Sequence, residues 1–277
     1  MSRLSFAGAL ARVFMWAFLL ALVVVVVYPL LWMVLNGFKT NAELFGDPFA
    51  LPVDWSFANY AKAWNRGVSG YLTTSVLVTV TSTVATVFVS AWAAYGLTRV
   101  DIPLNKVFTG LILGGLMLAP TVALVPLVKM FQSMGLYNSF WALLILYTAF
   151  RIPFTTFLIR AYMIDLPREV DEAAEMDGAG RWTAFWRIIL PMCKPIITSV
   201  VLLQILFTWN EYLFAMVFTS GSGVQTLPVG LTSLMSKHGT EFPVVFAGMV
   251  IAAVPVVLLF LFGQRYIVKG LADGIGK

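Results

Sequence analysis

The stretch DEAAEMDGAGRWTAFWRIILP runs from Asp171 to Pro191, a charged segment punctuated by Gly178 and Gly180 in a chain of 277 residues that is 60% hydrophobic. Pro167 suits the first turn of a helix, where its missing N–H has no partner to lose. Asp165, Glu169 and Asp171 crowd that N-terminal end, where the aligned backbone dipoles favour negative charge. Gly178 is placed to stop the helix in a left-handed conformation. Beyond Gly180, residues Trp182, Phe185, Trp186 and Ile189 recur at i, i+3, i+4 and i+7, one apolar face of a second short helix. Pro191 and Pro195 close it and start the next apolar run. The stretch therefore reads as two short helices joined at a glycine corner, acidic first and aromatic second.

The surroundings of this polar island fix the class of protein. Mean hydropathy is +0.89 and only 11% of residues are charged, against roughly 25% in soluble domains. Apolar runs at 13–36, 71–97, 107–128, 139–162, 195–218 and 243–263 are each long enough to cross about 30 Å of hydrocarbon as a helix. The expectation is an all-α polytopic membrane protein with six transmembrane helices. The first run is too long for the apolar core of a signal peptide and no small-x-small cleavage site follows it, so it reads as a retained helix. With both ends in the cytoplasm, twelve of the 18 Lys and Arg fall inside, five outside, and Arg151 within a span. That asymmetry favours this orientation and puts residues 163–194 on the cytoplasmic side. Residues 37–70 and 219–242 become outer loops, and 98–106 a short inner turn. The net charge of +5 is then a membrane-topology signal and calls for no nucleic acid.

Several chemistries are excluded. Cys193 is the only cysteine and His238 the only histidine, so no intrachain disulfide and no tetrahedral His/Cys metal site can form. The chain contains no G-x-x-x-x-G-K-[ST] phosphate loop and no G-x-S-x-G elbow. Gly221-Ser222-Gly223 lacks the third glycine and the strand of a dinucleotide fingerprint. Gly110 and Gly114 make a small-xxx-small face on the third span, read as intramolecular helix packing. The acidic half of the island argues against a bed of anionic lipid headgroups and for a protein partner.

Glu172-Ala173-Ala174, then Gly178, Ile188 and Leu190-Pro191 reproduce the spacing E-A-A-x3-G-x9-I-x-L-P. This resembles the EAA loop of ABC importer permeases. Phe38-Lys39-Thr40, Asn59-Tyr60 with Trp64, Ala93-Ala94-Tyr95 with Arg99, and Trp209-Asn210-Glu211 are similar to carbohydrate-type permeases. The tail from Gln264 to Leu271 is similar to the smaller permease of the maltose-type pair. Ser75 after Thr74, where many relatives have Asn, and Arg151 in the fourth span depart from the pattern.

The resemblance implies a type I importer permease architecture: a first helix and outer loop over 1–70, a five-helix core over 71–264 with a coupling loop at about 163–194, and a cytoplasmic tail over 265–277. It implies that Glu172, Ala173, Ala174, Asp177, Gly178, Ile188, Leu190 and Pro191 dock on an ATPase subunit, and that Arg265, Lys269 and Gly270 reach between the two ATPase subunits. ATP and Mg would be bound by those partners, with no cofactor or metal in this chain and no enzymatic activity of its own. The other implied partners are a second homologous permease in a heterodimer, an extracytoplasmic solute-binding protein touching the 219–242 loop, and membrane lipids. The implied location is the cytoplasmic membrane of a bacterium or archaeon, and the implied solute a sugar or oligosaccharide, with a glycerol phosphate as the alternative.

Polar groups inside the spans are the remaining candidates. Arg151 lies near the middle of the fourth span and Trp209, Asn210 and Glu211 toward the outer end of the fifth. Ionised groups at such depth face protein or water rather than lipid. Either Arg151 and Glu211 pair or bind carbonyls to fix helix packing, or Trp209, Asn210 and Glu211 line the translocation path near its outer gate. An ion-driven secondary transporter would also use such groups, but it leaves the coupling-loop spacing without a role. An intramembrane enzyme would need a nucleophile with a base, or a metal cluster, for which one loop histidine and one loop cysteine do not suffice.

Overall fold

Every regular element described is helical, as a hydrocarbon environment demands of a backbone that must satisfy its own hydrogen bonds. The computed structural model describes the backbone of residues 6–238 and 241–275, and the side chains of 11–235 and 241–264. Four helical stretches are long and apolar enough to span: Ala11–Asn36, Ala58–Arg99, Phe140–Ile164 and Phe242–Gln264. Two bent pairs, Asn105–Met117 with Pro120–Ser133 at 88° and Arg181–Met192 with Lys194–Asn210 at 77°, bring the number to six when each pair is counted as one span.

The chain divides into two units. The first comprises Met1–Val68 and Leu231–Ala253. Its helix α1 (Phe6–Asn36) is exposed from Ala11 to Leu31. Helix α2 (Asn41–Gly46) begins with a capping box, in which Thr40 and Glu43 satisfy each other's backbone N–H groups. Those bonds hold the Glu43 carboxyl below its ordinary range, the Thr40 backbone N–H acting most strongly. Lys39, 1% exposed, donates from Nζ to the carbonyls of Asp47 (3.2 Å) and Pro48 (3.1 Å). In helix α3 (Ala58–Ala63), Asn59 donates to the carbonyls of Gly37 and Lys39, and Phe38 packs on Trp55, Phe57 and Tyr60. The Phe38-Lys39-Thr40 and Asn59-Tyr60 motifs thus form one knot at the end of α1.

The second unit comprises Ser69–Gly230 and Val254–Lys277. Its frame is α4 (Ser69–Arg99), α5 (Asn105–Met117), α6 (Leu124–Ser133) and α7 (Phe140–Ile164). The island follows as α8 (Glu169–Met176) and α9 (Arg181–Ala184), which runs through a π turn at Phe185–Ile189 into α10 (Leu190–Met192). Then come α11 (Lys194–Asn210) and α12 (Leu213–Phe218); α13 (Leu227–His238) runs from this unit into the first, and α14 (Phe242–Ile275) begins in the first and ends in this one. A row of small hydroxyl residues on α4, Ser75, Thr79, Ser82, Thr86 and Ser90, is buried, and small interfacial residues let membrane helices approach closely.

Three expectations change here. The third and fifth spans are not single rods: α5 ends before Pro120, and α11 stops at Asn210 with Glu211 extended. Residues 227–238 are helix rather than loop. Nothing lies within 4 Å of where a side chain would start on Gly110 or Gly114, whereas one on Gly115 would meet Pro153 Cγ at 2.9 Å. The close approach of α5 to α7 therefore uses the neighbouring glycine.

Candidate functional site

The island is bolted to two spans. Arg99, the last residue of α4, donates from Nη1 to Asp171 Oδ2 (2.7 Å) and from Nη2 to the carbonyls of Met163 (2.7 Å) and Leu166 (2.8 Å) at the end of α7. Its side chain is 5% exposed and that of Asp171 23%. Breaking one partner of such a pair costs about 3–5 kcal/mol when the pair is fully buried, and somewhat less here because Asp171 reaches water. One turn earlier, Tyr95 Oη donates to the Arg181 carbonyl (3.2 Å). Phe185 and Ile189 enter a core with Ala91, Tyr95, Ile159, Met163, Ile196 and Val200. Trp182 and Trp186 remain partly exposed and continue a ring ladder with Trp92 and Phe88.

Gly178 sits at the corner with φ +75° and open space around it. The left-handed backbone is costly for most side chains. Glu172, Ala173 and Asp177 are exposed on α8 and its end, and Ala174 is buried. Ile188 and Leu190 are half-buried and pack against the core, and Pro191 is exposed. The motif residues therefore divide between an outward acidic edge and an inward anchor. The side chains of Arg265, Lys269 and His238 and the surroundings of Gly270 lie outside the described residues; the backbone of α14 continues helical to Ile275.

The intramembrane polar residues do not form one cluster. Trp209 is 7% exposed and lines an apolar cleft with Val76, Val80, Ile205 and Pro255. Asn210 is exposed and donates to the Leu206 carbonyl (2.7 Å). Glu211 accepts from the backbone N–H groups of Phe214 (2.9 Å) and Ala215 (3.0 Å) in the first turn of α12, and from Tyr147 Oη (2.6 Å). A carboxylate there satisfies donors that the helix itself leaves unpaired. Arg151 takes other partners: Nε donates to Gln204 Oε1 (2.9 Å), and its guanidinium carbon stands 3.8 Å from the Phe207 ring centre and 5.0 Å from that of Phe154. Among the described residues no ion pair joins Arg151 to Glu211. A lone charge at this depth costs roughly 2.5–3.5 kcal/mol on insertion scales, which the two rings reduce but do not cancel.

Arg99, Tyr95, Asp171, Tyr147 and Gln204 were not singled out by sequence as site residues. The available signal was the Tyr95…Arg99 spacing of one helical turn, which puts both groups on the face that meets the island.

Apolar spans around a polar loop clamped to two of them define a polytopic membrane protein. The chain belongs to the family of binding-protein-dependent transport system inner membrane components, whose profile matches residues 87–273. It is 45% identical over 262 residues to the probable ABC transporter permease protein YurM of Bacillus subtilis, covering 95% of this chain and 87% of that one. It is 34% identical over 254 residues to the diacetylchitobiose uptake system permease protein NgcG of Streptomyces coelicolor, covering 91% and 84%. It shares the fold of a chain in a bacterial ABC transporter involved in import of the acidic polysaccharide alginate, with a TM-score of 0.85 at 22% identity over 96% of this chain and 99% of that one. The type I importer permease architecture expected from the sequence is therefore the fold of this protein.

Proposed function

We propose that this chain is one permease subunit of an ABC importer for a sugar or oligosaccharide, and that α8 is its docking helix for a separate ATPase subunit. The observation that carries the reading is the Arg99 clamp. A membrane subunit without a nucleotide site receives work through a contact, and a contact transmits displacement only if it is stiff. Arg99 joins the acidic helix to the ends of α4 and α7 with three charge-assisted bonds, so motion imposed on α8 is passed to both spans.

The rest of the assembly follows from the same reading. Glu172, Ala173, Asp177 and Gly178 form the docking edge, and both chain ends lie in the cytoplasm of a bacterial or archaeal cell. The tail carrying Arg265, Lys269 and Gly270 meets the ATPase pair, which binds ATP and Mg. A second, homologous permease completes the path, and a solute-binding protein delivers the solute from outside. The names of the relatives, a diacetylchitobiose uptake permease among them, support a carbohydrate.

The test is uptake by proteoliposomes holding the chain with its partner subunits. Accumulation should need internal ATP and the loaded binding protein, and should survive collapse of ion gradients. Uptake driven by an ion gradient without ATP would overturn the reading.

A further inference from the structure

Resting on the carbohydrate-importer reading, we propose that Arg151 is a binding residue for an acidic group on the transported solute, so that the importer takes a carbohydrate bearing a carboxylate or comparable anion. The argument starts from charge. A guanidinium stays protonated at any physiological pH and offers five donors in a planar fork. Here only Nε is engaged, by Gln204 Oε1, while Nη2 is buried with no hydrogen-bond partner. The rings of Phe207 and Phe154 lie against the cation, and neither accepts a conventional hydrogen bond.

The Glu211 carboxylate has other partners. Glu211 spends Oε1 on Phe214 N–H and Oε2 on Ala215 N–H and Tyr147 Oη. No other described acidic side chain pairs with Arg151. A fixed cation is thus held by Gln204, itself fully buried and tied to Thr208, with no counter-charge among the described residues.

Its surroundings say where that counter-charge comes from. Phe207 is 54% exposed, Arg151 is mostly buried but reaches the surface, and Asn210, three residues from Phe207 on α11, is exposed. A face carrying an arginine and an asparagine inside a span does not meet hydrocarbon. It meets a water-filled path or another protein. In a path, the exposed Phe207 ring covers the fork and turns aside for a carboxylate, and it offers an apolar face on which a sugar ring can stack. A bidentate guanidinium–carboxylate pair is strong and geometrically selective, so one such residue discriminates charged from neutral sugars.

The alternative source of the counter-charge is an acidic residue of the second permease. Two measurements separate the readings. Mass spectrometry of the solute released from the purified solute-binding protein should find an anionic carbohydrate. A neutral carbohydrate would overturn the acidic-solute inference and leave the carbohydrate reading standing; a non-carbohydrate would overturn both. Uptake of that released solute, radiolabelled, is then measured for Arg151→Gln and Arg151→Lys in the full complex. We expect Arg151→Gln to lower uptake at least tenfold with normal assembly, and Arg151→Lys to retain more than Arg151→Gln. Loss of permease–permease assembly in Arg151→Gln, restored by Arg151→Lys, would place the counter-charge on the partner and overturn the inference. Equal uptake by both variants and the unaltered protein would overturn it as well.

Discussion

Arg99 and Asp171, 72 residues apart in sequence, meet at 2.7 Å, so the end of one span carries the acidic helix of the polar island directly. The contact joins elements that neither composition nor hydropathy connects.

Arg99→Ala should therefore uncouple rather than merely destabilise. It leaves the Asp171 carboxylate unpaired and the Leu166 carbonyl without its side-chain donor, while the Met163 carbonyl keeps the Leu166 backbone N–H, at about 1–3 kcal/mol for each buried group left unsatisfied. Arg99→Lys supplies a charge but not the fork and should recover little. Transport per ATP hydrolysed in proteoliposomes is the measurement, with a fall of at least tenfold expected and a normal ratio counting against the lever.

Gly178 separates backbone need from contact need. At φ +75° with open space around it, asparagine fits the left-handed conformation far better than valine. If the corner is the whole requirement, Gly178→Asn should transport nearly normally while Gly178→Val fails. We expect both to fail, with the complex still assembled, because in the proposed docking that edge approaches the ATPase subunit. Normal ligand-stimulated ATPase in Gly178→Asn would remove the contact role.

The charge exchange Arg151→Glu with Glu211→Arg should stay inactive. The two groups serve different partners, so an arginine at 211 repels the α12 N–H groups that Glu211 now accepts from. Tyr147→Phe, which removes the 2.6 Å hydrogen bond to Glu211, should lower thermal stability by about 0.5–2 kcal/mol. Recovery of uptake by the exchanged pair would restore the ion-pair reading.

Glycines on α5 should sort by position. Gly115→Leu drives atoms into Pro153 and should lower the melting temperature by several degrees, since overpacking typically costs about 1–3 kcal/mol. Gly110→Leu and Gly114→Leu meet open space within the chain and should leave the melting temperature of the isolated subunit unchanged. A drop equal to that of Gly115→Leu would show that their face is packed.

What was legible in the sequence was local. Pro167, Gly178, Gly180 and the Trp182–Ile189 periodicity act within a few residues, and the two short helices and the left-handed corner follow from them. The bend before Pro120 was also written locally, since the residue preceding a proline avoids helical backbone, yet the continuous apolar run concealed it. The break at Glu211 was only partly local, since its carboxylate accepts from the Phe214 and Ala215 N–H groups three and four residues on. The same carboxylate also bonds Tyr147, 64 residues away, and hydropathy weighs neither group. The helix at 227–238 was hidden by its glycine, serine and threonine content, which reads as loop when contacts are unknown. Arg99 was counted among the cytoplasmic cations and quoted in the permease resemblance without a role of its own; its three acceptors lie beyond its own helix, so only the assembled chain shows that it is a joint.

The bare flank of α1 sets an order of events in biogenesis. From Ala11 to Leu31 the helix is exposed, while the knot of Asn59, Tyr60 and Phe38 closes only at its far end. A helix with that profile is stable in lipid before its neighbours exist. It can be released into the bilayer as soon as it is made, hold the growing chain in its orientation, and be tied in later when residues 57–60 emerge. Truncating it should then reduce the yield of inserted protein more than the melting temperature of what is inserted.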